Sequence, residues 1–123
     1  MEISIPGVNT EKGLGLCDGD ESIYVGILRL FIYDMTKALN IMRNVSEITL
    51  NAYAVGAHSA KSISEVIGAE EARNAAKLLE DMAKSGDLAG VLDRNGVFVK
   101  YAGDLIDSIK DWLEKYDQQM PAN

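Results

Sequence analysis

One cysteine, one histidine and two prolines are spread over 123 residues, and no apolar run is long. Cys17 therefore has no partner for an internal disulfide. It also lacks companions for a metal or thiol site, so its expected role is packing. A membrane-spanning helix needs about 20 consecutive apolar residues, and no run in the chain approaches that. No signal-peptide pattern opens the sequence, which together with the lone cysteine makes the cytoplasm the expected compartment. Basic residues are outnumbered, with 12 Lys and Arg against 19 Asp and Glu for a net charge of -7. No Lys/Arg cluster offsets that balance, which opposes binding to a nucleic-acid backbone. The rarity of proline, with 47% hydrophobic and 25% charged residues, is the composition of a folded chain, and the length suits a single domain.

What is present is helical periodicity. In residues 1–20 the turn formers Pro6-Gly7, Gly13, Gly15 and Asp18-Gly19-Asp20 predict an extended lead with one short helical turn near Asn9 to Leu16, a lid or a lead-in. From Glu21 onward Tyr24, Leu28, Phe31, Met35, Ala38, Met42 and Val45 recur at steps of four and three. This predicts one long helix, capped by Asp20 and ending near Arg43 or Asn44. Ile23, Ile27, Leu30 and Ile41 widen its stripe beyond a two-stranded seam, favouring contact with several helices.

Ser46 as N-cap and Glu47 in the first turn start a second helix, running from about Glu47 to Ile67 and ended by Gly68. Gly56 inside it costs about 1 kcal/mol of helix propensity relative to Ala, so a neighbouring backbone is expected to come close there. Ala72, Ala75, Ala76, Leu79, Met82 and Ala83 predict a third helix from Glu70 to Ser85, closed by Gly86 and antiparallel to the second because the connection is short. Asp87 caps the last helix. Leu88, Leu92, Asn95, Val99, Ala102, Ile106, Ile109, Leu113 and Tyr116 hold one phase through Arg94-Asn95-Gly96, which favours an unbroken helix. Phe31, Met35, Met42, Phe98 and Trp112 are expected in the core. The expected architecture is all-α: an up-and-down antiparallel four-helix bundle over residues 21–117, preceded by a lead with a short helical turn over 1–20 and followed by a polar tail over 118–123.

The only histidine, His58, lies within the second helix. With residues placed at 100° intervals and the apolar stripe centred on Ile48, Ala52, Val55, Ser59, Ile63 and Val66, it falls on the polar flank, about 80° to 100° from the stripe's centre. Ala54, Lys61 and Glu65 share its side, and Ser62 lies between it and the core. A structural histidine points inward to a partner. One at the edge of the stripe among short or charged side chains is placed to meet another molecule, and a neutral imidazole offers a nitrogen lone pair for attack.

The stretch His58-Ser59-Ala60-Lys61, followed by Ser62, resembles the His-x-x-Lys-Gly motif of the histidine-containing phosphotransfer (HPt) domain of multistep phosphorelays. The resemblance continues through Ile67-Gly68-Ala69, Leu79-Glu80 and Gly86-Asp87. It reaches back to Pro6-Gly7, Gly13-Leu14, Gly19-Asp20, Tyr24, Leu28 and Phe31, covering most of the chain. It implies that His58 is the phosphoacceptor, receiving a phosphoryl group from the phospho-aspartate of a receiver domain and passing it to another receiver. Lys61 would offset charge on the phosphoryl oxygens, and Glu80 would accept a hydrogen bond from the imidazole and orient it. Ala54, Ala57, Ser62 and Glu65 would meet the docked receiver, with Ser62 replacing the motif's glycine. The implied partners are response-regulator receiver domains and a hybrid sensor histidine kinase. The isolated domain is expected to be a monomer that needs no cofactor of its own, with magnesium held by the receiver. The sequence carries no ATP-binding motif, so self-phosphorylation is not expected. Two other functions fit the residues: a scaffold that docks a receiver without chemistry, and a helical dimerisation module using the seam from Tyr24 to Val45.

Overall fold

The computed structural model describes residues 3–120. Among them are five helices and no strand: α1 (Thr10–Leu16), α2 (Glu21–Met42), α3 (Leu50–Ile67), α4 (Glu70–Lys84) and α5 (Leu88–Gln119). Three starts are fixed by short polar side chains that satisfy an otherwise unpaired N–H of the first turn. Asn9 accepts from the Lys12 N–H at 3.1 Å, Asp20 from that of Ile23 at 3.1 Å, and Asp87 from that of Gly90 at 2.9 Å. Gly68 and Gly86 end α3 and α4 with φ of 86° and 78°, a left-handed turn that glycine adopts without strain. At Gly68 space is short as well, because a Cβ would run into the Asn9 carbonyl oxygen.

The second bundle helix starts later than the sequence suggests, at Leu50 and not Glu47. The Thr49 hydroxyl donates to the Asn44 carbonyl at 2.9 Å and accepts from the Ser46 N–H at 2.9 Å, while the Ser46 hydroxyl accepts from the Thr49 N–H. The two hydroxyls close a turn over 46–49, and the helix begins beyond it. The N-terminal lead is no lid. Ile3 and Ile5 are buried, the Thr10 hydroxyl donates to the Ile3 carbonyl at 2.7 Å, and the Asn9 N–H donates to the Gly68 carbonyl at 2.9 Å. Of the predicted tail, 121–123 lie outside the described residues, as do 1–2 of the lead. The remainder continues α5 as far as Gln119.

Successive helices pack side by side, α2 on α3, α3 on α4 and α4 on α5, and α5 closes the ring on α2. With two to seven residues between them, neighbours run antiparallel. Tyr24, Leu28, Phe31, Met35, Ala38 and Met42 of α2 all point into this ring and are essentially inaccessible. That corrects the dimerisation reading, since the seam it required is used inside the molecule. Cys17 and Phe98 are buried as expected, while Trp112 is half-buried and stacks on Tyr116 with ring centroids 5.2 Å apart. Asn95 marks no break in α5. It accepts from the Tyr53 hydroxyl at 2.7 Å and donates to the Met42 carbonyl at 2.7 Å, tying α5 to α3 and to the end of α2. Leu92, assigned to the core by its spacing, is exposed, and Val91 takes the inward position.

The largest correction concerns α3. Its buried side is Leu50, Tyr53, Ala54, Gly56, Ala57, Ala60, Ser64 and Ile67. The stripe expected to be core looks outward: Ile48, in the turn before α3, is 95% exposed, Val55 is 63% exposed and Val66 is exposed too. The true buried arc is rotated by about 135° from the predicted one. The helix is apolar over two arcs, and the bundle selects the one built of small residues because small side chains let helices approach closely. Gly56 illustrates this: a Cβ there would press on the side chains of Ile41 and Met42 of α2 at 3.0 to 3.2 Å, so the close neighbour is side chain and not backbone. On α2, Ile23, Leu30 and Ile41 also remain exposed instead of widening the packed stripe. No helix among the described residues is long and apolar enough to cross a membrane.

The Ser64 hydroxyl is fully buried with no hydrogen-bond partner among the described residues. Ser64→Ala removes that unmet polar group and improves helix propensity, and should stabilise the protein by roughly 1 kcal/mol. Urea unfolding of the two proteins checks this; equal or lower stability of the variant would contradict it.

Candidate functional site

Glycine placement brings His58 and Glu80 together. The chain reverses at Gly68-Ala69; His58 lies ten residues before Gly68 and Glu80 eleven after Ala69. At 1.5 Å per residue both stand about 15 Å from the turn, on adjacent antiparallel helices. They meet at that height, with His58 Nδ1 2.8 Å from Glu80 Oε2. His58 lies about 130° from the centre of the buried arc of α3, and its side chain is 58% exposed. Rotating the arc therefore turns the ring further toward solvent than the sequence phasing implied.

Glu80 is the opposite case. Only 3% of its side chain is accessible, yet it accepts three charged or polar hydrogens: His58 on Oε2, Lys61 Nζ on Oε1 at 2.9 Å, and Lys84 Nζ on Oε2 at 2.8 Å. Burial alone pushes a carboxyl upward. Here the hydrogen bonds from Lys84, Lys61 and His58, with the charge of Lys61, outweigh it and hold Glu80 down at about 2. The carboxylate is ionised at neutral pH and can only accept. It therefore assigns the proton to His58 Nδ1, so that Nε2 of the neutral ring keeps the lone pair. Among the described residues nothing hydrogen-bonds Nε2.

The helical repeat explains the rest of the cluster. Lys61 is one turn along α3 toward Gly68, and Lys84 is one turn along α4 away from it, so the two ammonium groups reach Glu80 from opposite ends. Lys61 is 21% exposed and Lys84 is 63% exposed. Lys61 thus stands where the sequence placed it, beside the histidine, but its ammonium rests on Glu80. Lys84 escaped the sequence reading, although a Glu four residues before a Lys on one helix is a recognisable pairing.

The docking residues fare unevenly. Ala57 is fully buried and Ala54 nearly so, because the rotated arc includes them, and neither offers surface to a partner. Ser62 is half-buried and lies on the outward side of α3 instead of between His58 and the core, and Glu65 is exposed. The exposed Val55 and Val66, with Ile48 and the neighbouring Ile41 of α2, form the apolar surface beside the ring that the sequence reading had turned inward. Among the described residues no three His, Cys, Asp or Glu side chains converge as metal ligands would. Compared with family models, curated proteins and solved structures, the chain matches none.

Because Glu80 titrates lower folded than its ordinary value of 4.5, its pairing contributes stability that is complete above about pH 4.5 and is lost as pH falls through about 2. In that window the unfolded chain binds a proton that the folded one does not. The stability difference between the native chain and Glu80→Gln should therefore narrow by about 2 kcal/mol between pH 5 and pH 2, a figure lowered for the exposure of two of the three partners. Chemical denaturation across that range measures it, and a difference independent of pH would refute the assignment.

Proposed function

We propose that the chain is a histidine phosphotransfer intermediate of a phosphorelay, with His58 accepting a phosphoryl group from a receiver domain's phospho-aspartate and passing it to another receiver. The observation that carries this reading is the exposed imidazole of His58, held through Nδ1 by an ionised, buried Glu80 and flanked by two ammonium groups. In the transfer the Nε2 lone pair forms a bond to phosphorus, and the bond from phosphorus to the aspartyl oxygen breaks, its electron pair returning to the carboxylate. The ring keeps its Nδ1 proton, which becomes part of an imidazolium stabilised by Glu80. Lys61, one turn along α3 from His58 and bound to the same carboxylate, would neutralise charge on the phosphoryl oxygens. The receiver supplies the magnesium ion, and the chain works in the cytoplasm.

The outward apolar residues Ile48, Val55 and Val66 on one side of α3 and the turn before it, with Ile41 of α2, support a protein partner, since several large apolar side chains left exposed on one side of a folded chain favour an interaction site there. The same surface would serve a scaffold that docks receivers without chemistry.

Mixing the protein with phosphorylated receivers from a panel should transfer an acid-labile, base-stable label that His58→Gln abolishes. Lys61→Ala should slow the transfer severalfold. Val55→Glu should slow transfer from the receiver at least tenfold while leaving labelling by the small donor phosphoramidate unchanged, because only the first needs docking. Binding of a receiver with no label on the native protein would favour the scaffold, and neither binding nor label would end both readings.

A further inference from the structure

Counting charge around His58 shows a surplus. With the imidazole neutral, one carboxylate faces two ammonium groups, and Asp81, the other carboxylate acting on Lys84, is paired with Lys77 at 3.1 Å, so the cluster carries one net positive charge on a chain of net charge -7. The two lysines are not equivalent. Lys61 is mostly covered and bound to Oε1, whereas Lys84 is largely exposed and shares Oε2 with His58 Nδ1, each at 2.8 Å. Two groups on one oxygen stand no further apart than twice that distance, about 5.6 Å from Lys84 Nζ to His58 Nδ1; a phosphoryl group on Nε2 lies beyond that by the width of the ring and the nitrogen–phosphorus bond, a gap that Lys84 crosses by turning about several bonds of its four-carbon stem. Packing does not hold the Lys84 ammonium in place.

We infer that Lys84 is a reserve cation: it rests on Glu80 while His58 is bare and moves to the phosphoryl oxygens once Nε2 carries a phosphoryl group. The inference rests on the reading of His58 as phosphoacceptor. A doubly charged phosphoryl group, the Glu80 carboxylate, the imidazolium with its retained Nδ1 proton, Lys61 and Lys84 together carry zero net charge. Without Lys84 the same set is left with one uncompensated negative charge, produced by placing a dianion beside a buried carboxylate. Lys61 cannot supply the difference alone, because removing it from Oε1 would strip that oxygen of its only partner among the described residues. Lys84 can leave at less cost, since water reaches its site and His58 stays on Oε2.

The test labels the full chain and its Lys84→Ala and Lys84→Arg variants with phosphoramidate, whose phosphorus–nitrogen bond breaks, releasing ammonia, as the bond to Nε2 forms. Titration of the phosphohistidine by phosphorus NMR then reports the charge around the phosphoryl group without any receiver. At low salt Lys84→Ala should raise the midpoint for protonation of the phosphoryl oxygens by about half a pH unit. Lys84→Arg should restore the native midpoint, and 1 M salt should collapse the difference, as it does for exposed charges. Identical midpoints for the native chain and Lys84→Ala at low salt, or a difference that arginine does not rescue and salt does not screen, overturn the reserve cation while leaving the phosphoacceptor intact. A native chain that takes no label overturns both.

Discussion

A carboxylate removed from water is tolerated only if its lone pairs are engaged, and Glu80 meets that condition with donors from two helices. Lys61 and His58 come from α3 and Lys84 from α4 itself. The demand for satisfaction therefore works as a register pin. A shift of α4 along α3 by one residue, about 1.5 Å, would pull the carboxylate away from at least one donor and leave a buried charge short of partners. The same pin sets the ring. His58 is held by a residue on the neighbouring helix that is itself buried and tied by two lysines, so an exposed side chain gains a fixed orientation and tautomer without being buried.

Such short contacts require α3 and α4 to lie close, and composition makes that possible. The facing surfaces are Ala57, Ala60 and Ser64 on one helix and Ala72, Ala76 and Ala83 on the other, all essentially inaccessible. Small residues bury less apolar area per position than leucine or isoleucine, but they bring the backbones near enough for side chains at the rim to meet. The larger core side chains come chiefly from α2 and α5, through Tyr24, Phe31, Met35, Met42, Phe98 and Leu113, joined by Tyr53 and Ile67 of α3 and Leu79 of α4. α2 and α5 thus supply most of the hydrophobic mass, and the small residues of α3 and α4 supply proximity.

This division explains which features could be read from the sequence. Helix order, the caps at Asp20 and Asp87, the glycine stops at 68 and 86 and the continuity of α5 all follow from local chemistry, and all were legible. The pairing of His58 with Glu80 is implied by the family resemblance, and the structure adds its geometric reason, since the two positions straddle the turn almost symmetrically. The buried face of α3 was not legible. Hydropathy ranks Ile48, Val55 and Val66 above Ala57, Ala60 and Ser64, yet which arc is buried depends on what the neighbouring helices present, and α4 presents alanines. Two corrections follow from this one error: Ala54 and Ala57 become core, and the valine and isoleucine stripe becomes surface. Lys84 was hidden for a different reason. Its spacing of four from Glu80 is a recognisable pairing, but such pairs are common on helix surfaces, and only the burial of Glu80 sets this one apart.

The exposed face and the charge cluster complement each other on the proposed reading. An acidic chain repels anionic molecules at long range, so a phosphorylated partner gains little from steering. Attraction must come at contact. The apolar strip offers affinity that does not depend on charge, and the single surplus cation beside His58 acts only on a group brought within a few ångströms, where the surrounding carboxylates no longer dominate. A free phosphate has the charge but nothing to lay on the strip, and a generic apolar surface lacks the charge. Selection then falls to partners that carry both an apolar docking face and a phosphoryl group at the distance the strip sets, which is a requirement a short helix can impose because Val55 and His58 lie within one turn of each other.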